Sequence, residues 1–522
     1  MNRRDLIRVS GLAAAAATGS VQSAAAAPAK AAAENPSVYT ELGVKPFINT
    51  TATLTINGGS RQLDEVIEAV EAAARFHVNL DELMEKAGER LSALLKCEWG
   101  MVTSGAAAAL SHATAACVAG ADPEAMRQLP NTQGLKNEVI MPKWSRNQYD
   151  HAIRAIGVTI VEVSTPEQAR RAVTSRTAMI AMLGDKWKKE TVTLEDFAEI
   201  SRATGIPILV DAAADPLVIP DPYLSRGASL VAYSGGKILR GPQTAGLLLG
   251  RKDLVRAAFL NSAPHHAVGR ALKVSKEEVV GILKAVEVFV EKRNLEAEHR
   301  EWESWYAHIT AEITSVPGVR TKVNPPQRGG PFPTLTVAWD ESKIALTAGQ
   351  VGKLLMSGEP RIQSHASGDS TSFLVRPVAM KPHEHKIVAA RLKQIFEAHR
   401  GTLVRPSLQA PAANIAGNWD VEIDYVRGQG SHKLHLETAG NQVRGVHHGR
   451  FHQGDVTGTM SGNEIRLASG LAAEGTAIAY QFTGRLAGDT MSGELDCGEH
   501  GKAQWRAVRH QPVKLERDPA KA

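Results

Sequence analysis

The chain has 522 residues, several times the roughly 150 of an ordinary domain, so more than one folding unit is expected. With 43% hydrophobic and 22% charged residues the composition is that of a globular protein, which excludes a disordered or collagen-like chain, and three cysteines (Cys97, Cys117, Cys497) exclude a disulfide scaffold. Lys+Arg 60 against Asp+Glu 55 leaves a net charge of +5, too mild for an electrostatic case for nucleic-acid binding.

At the start, Arg3 and Arg4 precede a weakly apolar Gly/Ala-rich run from Gly11 to Val21, then small residues from Ser23 to Ala29. That order of basic head, apolar middle and small-residue end reads as a twin-arginine-type signal peptide over 1–29, and hence as export to the periplasm. Polar interruptions such as Ser10, Thr18 and Gln22 argue against a membrane span, so no stable membrane insertion is expected.

From Gln62 to Lys96 apolar residues recur at helical spacing with a break near Phe76 to Asn79, which predicts two amphipathic helices. Met101-Val-Thr-Ser104 then runs into Gly105-Ala-Ala-Ala-Ala-Leu110, a strand turning sharply into a helix. Short apolar strands follow at Glu138 to Met141, Val158 to Val163, Ala178 to Leu183, Pro207 to Asp211, Ser229 to Tyr233 and Thr244 to Gly250. Strands separated by helices in this way predict βαβ units and an α/β fold with a mostly parallel sheet. One long helix, about Lys276 to Ser315, leads out of a large domain (30–315) into a small α+β domain (316–404). A linker (405–414) rich in Pro, Ala and Asn marks the sharpest boundary, and 511–522 reads as a tail. Between them, residues 415–510 hold 16 of the 45 glycines and no proline, with apolar and polar residues alternating, which predicts an antiparallel all-β barrel or sandwich.

The chemistry concentrates at three places in the large domain. Tyr233-Ser-Gly-Gly-Lys237 presents one lysine at a strand end, where two glycines let the chain double back; a partly buried lysine so placed is a Schiff-base former. Asp211 ends the strand Ile206 to Val210, at the carboxyl edge where open α/β sheets bind ligands. Thr103-Ser-Gly-Ala106 is a small-residue turn into a helix whose free amides suit a phosphate. An anion cradle, an acid for a pyridine nitrogen and a nucleophilic lysine, in that order, are what pyridoxal 5'-phosphate needs. Arg376, in Phe373-Leu-Val-Arg-Pro377, is the candidate for a substrate carboxylate because its planar fork matches one. Arg146 and Tyr149 are further candidates to flank ring or substrate. His265-His266 and His447-His448 with His452 suggest a metal, but no carboxylate or cysteine stands at ligand spacing and histidine on a polar strand face is usually solvated, so no metal is expected.

These pieces, with Ile48-Asn-Thr50, Gly58-Gly-Ser60, Tyr149-Asp150, Gly241-Pro-Gln243 and Gly269-Arg270 with Lys273, resemble the pyridoxal-phosphate enzymes related to L-seryl-tRNA(Sec) selenium transferase, a fold-type-I group. The resemblance implies that Lys237 carries the cofactor, Asp211 pairs with its ring nitrogen and Ala213 packs beneath the ring. It also implies that Ser104, Gly105, Ala106 and Ser234 hold the phosphate, and that Arg270 and Lys273 form a basic pair reaching a neighbouring subunit in a homodimer or higher oligomer. Where relatives carry an arginine before the Gly-Gly pair, this chain has Ile56-Asn57. No tRNA-binding domain is recognisable ahead of the catalytic part, so selenium transfer on a tRNA is not expected. The implied activity is elimination with ammonia release from an amino acid or amino sugar acid; an aminotransferase, a racemase or a selenium-transferase-like transferase uses the same residues. The reading outside enzymology is an exported binding protein that uses its β domain.

Overall fold

The computed structural model describes residues 37–184, 191–327 and 330–511; the expected leader and the tail from 512 lie outside them. Residues 37–46 hold one helical turn, Ser37–Thr40, and the unit that carries everything below begins at Phe47.

Three hydrophobic cores organise that unit. The first strand, β1 (Phe47–Asn49), belongs to the second core, not to the large domain to which its position in the sequence assigns it. The large domain is a seven-stranded sheet made of β2 (Trp99–Thr103), β3 (Glu138–Pro142), β4 (Thr159–Val163), β5 (Thr177–Leu183), β6 (Ile208–Asp211), β7 (Leu230–Ser234) and β8 (Gly246–Gly250). Their order is β2-β8-β7-β6-β5-β3-β4. All pairs are parallel except the two made by β8, which runs antiparallel between β2 and β7. Central strands such as Ala178–Met182 and Leu230–Tyr233 are buried along their length, as a sheet covered on both faces requires, while edge strand β4 is partly exposed.

The helix Gly105–Ala119 explains its own alanines. Twelve of its fifteen residues are buried, because it lies against the sheet on one side and other helices on the other, and only small side chains permit that approach. The two helices expected before it are Asp64–Ala73 and Leu80–Leu95, the second capped by the Asn79 side chain. The long helix expected over 276–315 is instead two, Lys276–Glu291 and Leu295–Thr314. Asn294 caps the second by accepting from the Ala297 amide, and the break lets the first pack on the large core and the second on the small one.

The small domain adds β9 (Val319–Asn324), β10 (Thr334–Trp339), β11 (Arg361–Gln363) and β12 (Ser372–Val375). A three-stranded antiparallel sheet has the order β12-β10-β9, and β11 pairs in parallel with β1.

The third core fills a closed eight-stranded barrel: β13 (Gly417–Asp424), β14 (Gln429–Ala439), β15 (Gln442–His448), β16 (Gln453–Ser461), β17 (Glu464–Ala473), β18 (Thr476–Ala487), β19 (Thr490–Asp496) and β20 (Lys502–Arg509). Each strand pairs with the next and β20 returns to β13, so the barrel leaves no free edge. Inward residues such as Trp419, Phe482 and Trp505 occupy its interior, as expected where eight strands leave room for little more than side chains.

The barrel corrects one expectation. His447 is fully buried and His432 nearly so, not solvated; their rings share a hydrogen bond of 2.8 Å, and His447 bonds Ser469 Oγ at 2.8 Å. Burial pulls the His447 imidazole down from 6.5 to about 3. A histidine depressed in the folded state contributes stability above its unfolded pKa, and that contribution is lost as pH falls towards the folded value. The urea midpoint of the barrel is therefore expected to fall as pH drops from 6.5 towards about 3, and less steeply in a His447→Gln variant. An identical slope in both would refute this assignment.

Candidate active site

The sheet register gathers the predicted residues along one edge. Thr103 at the end of β2 stands opposite Gly246 on β8, and Gly246 stands opposite Ser234 on β7. On the far side of β7, Ala232 pairs with Asp211 at the end of β6. Ser104, Ser234 and Asp211 thus lie along one edge of the run β2-β8-β7-β6, each step across the sheet being about 4.8 Å.

Glycines make the edge possible. A Cβ on Gly246 would lie 2.5 Å from the Gly105 carbonyl carbon, and one on Gly236 2.5 Å from Gln243 Cα. Gly105 itself has φ +79°, the left-handed region where glycine is favoured. The lysine turn is tied down by Gly235 N to Ala245 O (2.8 Å) and by Ser60 N to Gly236 O (2.9 Å), the latter joining the Gly58-Gly-Ser60 loop to Lys237. The Ser104 side chain makes no capping bond, so its hydroxyl and the first amides of the 15-residue helix remain available to an anion.

Lys237 is largely enclosed, and among the described residues its amine makes no hydrogen bond. Burial lowers its pKa while Asp211 and Asp215 pull the other way. Asp211 accepts from the Ala213 amide at 3.0 Å, and burial raises its carboxyl above the usual range. Asp215 accepts from Tyr223 Oη at 2.5 Å, and Asp221 from Tyr233 Oη at 2.5 Å, so buried acids line the underside of the edge.

Beside Lys237 is a cavity of about 190 Å³ lined by Thr51, Thr53, Thr55, Tyr149, Ala214, Phe332, His365 and Arg376 among others. Its assembly depends on the small domain. Thr50 N donates to Gln363 O (3.0 Å) and Thr50 O accepts from Arg376 N (2.9 Å), so one residue bridges β11 and the end of β12. Arg376 is half-buried, which lowers its pKa, and among the described residues no carboxylate pairs with it. His365 bonds Thr51 O at 3.1 Å and stays below its ordinary pKa through burial and the neighbouring Arg376. Sequence reasoning missed His365, Thr51 and Phe332. No local spacing links residues 51, 332 and 365, which meet only through strand pairing.

Three predicted residues fare differently. The Arg146 guanidinium is buried and engaged by Asp150 (Nε–Oδ2 2.5 Å), Glu162 and Glu474 (Nη2–Oε2 2.6 Å), which leaves nothing to offer a substrate. Arg270 and Lys273 are exposed, and none of their described contacts reaches the cavity of their own chain. Ile56 faces solvent at 88% exposure, and Asn57 donates to Thr51 Oγ1 at 2.6 Å.

A buried amine free of hydrogen bonds among the described residues, a carboxylate three strands from the helix start, and glycines that clear the intervening space fit pyridoxal phosphate: Lys237 for its aldehyde carbon, Asp211 for its ring nitrogen, Ser104 to Ala106 and Ser234 for its phosphate. Fold and site together define a pyridoxal-phosphate enzyme of the lyase or transferase type. A family model described as L-seryl-tRNA selenium transferase matches residues 47–299. D-Glucosaminate-6-phosphate ammonia lyase of Salmonella typhimurium is 29% identical over 374 residues, 69% of this chain and 98% of that protein. 5'-C-glycyluridine monooxygenase-decarboxylase of a Streptomyces species is 30% identical over 379 residues, 70% of this chain and 93% of that one. The solved structure of D-glucosaminate-6-phosphate ammonia-lyase, 29% identical, superposes with a TM-score of 0.62 over 70% of this chain and all of its own. The chain belongs to the L-seryl-tRNA(Sec) selenium transferase-like family of pyridoxal-phosphate enzymes.

Proposed function

We propose that the protein is a lyase that removes the α proton and a β substituent from an amino acid or amino sugar acid, the resulting enamine then taking up water to give a keto acid and ammonia. The observation that carries this reading is the cavity that Lys237 and Arg376 both line, an amine and a guanidinium that, among the described residues, form no ion pair within it. Bound pyridoxal phosphate supplies the electron sink that lets a bond at the α carbon break. Lys237 takes the proton from that carbon, since an amine lowered by burial is a competent base near neutral pH. Asp211 keeps a proton on the ring nitrogen. Arg376 holds the substrate carboxylate, and Tyr149 and Phe332 restrict water.

The named relatives carry different reactions; the ammonia lyase is matched both in sequence and as a solved structure, and that double likeness supports elimination. Screening amino acids and amino sugar acids for joint release of ammonia and a keto acid tests the reading; transfer of nitrogen to the cofactor without ammonia would replace it by an aminotransferase. On the best substrate, Arg376→Lys is expected to raise KM about tenfold or more with a smaller change in kcat, because an ammonium cannot reproduce a bidentate pair. An unchanged KM would remove Arg376 from this role.

The Arg3-Arg4 head supports export of the folded, loaded protein to the periplasm, to be judged by cell fractionation. Arg270 and Lys273, exposed on one chain, support a homodimer in which they reach the partner's site; light scattering reads the subunit number.

A further inference from the structure

The ammonia-lyase and monooxygenase-decarboxylase relatives span almost their full lengths on about seven-tenths of this chain, which leaves a share large enough to hold the barrel without a counterpart in them. The barrel nevertheless reaches the catalytic half. Its β17–β18 turn, Glu474-Gly475, lies against Arg146 and Asn147: a Cβ on Gly475 would stand 2.7 Å from Arg146 Cβ and 2.8 Å from Asn147 N. Gly475 has φ +77°, and Glu474, a residue with a side chain, is itself held at φ +43°. Left-handed backbone at a non-glycine residue is uncommon and persists where the surroundings hold it.

What holds it is a charge cluster. Glu474 Oε2 is 2.6 Å from Arg146 Nη2 and 3.6 Å from Arg154 Nε, while Arg146 Nε binds buried Asp150 at 2.5 Å. Between Arg146 and Asp150 lies Tyr149, whose amide donates to Asn147 Oδ1 at 2.7 Å and whose side chain forms part of the wall of the Lys237 cavity. The same segment borders Asp211: Ser145, Asn147 and Asp150 line a small void with it. A contact on the barrel is therefore one residue-to-residue step from the segment that shapes both sides of the site.

We propose that the barrel is a positioning element of the active site, with Glu474 as the positioning residue that fixes Arg146–Asp150 and so sets Tyr149 over Lys237. This rests on the reading of the Lys237 cavity as the catalytic site. An adjacent domain held only for stability would not make cavity access depend on one surface carboxylate. Of the three acids around the Arg146 guanidinium, Glu474 is the one that comes from the barrel, and this is the link on which such a dependence would run.

The test uses the full chain loaded with pyridoxal phosphate and measures the rate at which hydroxylamine removes the cofactor from Lys237, seen as loss of the visible band. Glu474→Gln, Glu474→Asp, Tyr149→Ala and the Gln/Ala double variant are compared, with thermal melting as a check on folding. E474Q is expected to speed release about threefold or more at unchanged melting, E474D to restore most of the native rate, and the double variant to be no faster than Y149A alone, as contacting residues in one network behave. A native rate in E474Q, or effects of E474Q and Y149A that multiply, would overturn the proposal. A native chain with no hydroxylamine-sensitive band would overturn the reading of Lys237 and this proposal with it.

Discussion

Lys237→Ala is expected to abolish the visible absorption of the loaded protein and to lower turnover by at least about a thousandfold, the upper part of the range for loss of a proton-transfer group. On the proposed roles, the change removes both the amine that holds the cofactor and the base that takes the α proton, so both readouts fall together. The fold should survive it. Lys237 lies in a turn pinned by backbone bonds from Gly235 to Ala245 and from Ser60 to Gly236, none of which involves its side chain. Deleting a buried amine that makes no hydrogen bond also removes a desolvation cost, so the melting temperature of the cofactor-free variant is expected to match or exceed the native value. A variant that keeps the band and a tenth of the activity would mean that another group holds the cofactor.

Asp211→Asn should cost nearly as much by a different route. An amide cannot keep a proton on a pyridine nitrogen, so turnover is expected to fall about a thousandfold while the cofactor remains attached to Lys237. A second consequence separates charge from shape. Asp211 raises the pKa of Lys237 by its negative field, against burial that lowers it. Removing that field in the cofactor-free protein should let the amine lose its proton at a lower pH than in the native chain. The pH dependence of acylation of Lys237 by a small reagent, followed by peptide mass analysis, measures it. A shift to higher pH would contradict the placement of Asp211 beside the lysine.

Much of this site is legible in the sequence because its parts are local. Ser234-Gly-Gly-Lys237 and Thr103-Ser-Gly-Ala106 are strand ends followed by glycines, and the glycines are forced: Gly236 and Gly246 have other backbone within 2.5 Å of where a Cβ would be. The strand runs are legible for a similar reason, since central strands covered on both faces must be apolar throughout. The small-domain half of the cavity is not local. His365 and Thr51 are 314 residues apart and meet through a single hydrogen bond, which no periodicity records. Arg146 misleads because an arginine near a candidate site looks the same in sequence whether it faces substrate or three acids, one of them 328 residues away on the barrel. His447 misleads in the opposite sense: alternation assigns residues to two faces, but the buried face of this barrel accommodates a histidine because His432 and Ser469 satisfy both of its ring nitrogens.

The proposed export and the proposed role of the barrel bear on one another. A chain that leaves the cell folded must carry its cofactor with it, and a site whose access is set by a tethered domain loses that cofactor slowly. Both ideas depend on the same chemical fact about one residue. Borohydride treatment of the loaded protein, followed by proteolysis and mass analysis, reads that fact directly. Loss of the visible band and a single peptide bearing a reduced pyridoxyl group on Lys237 are expected; a band that borohydride leaves untouched, or the label on any other lysine, would contradict the assignment of Lys237.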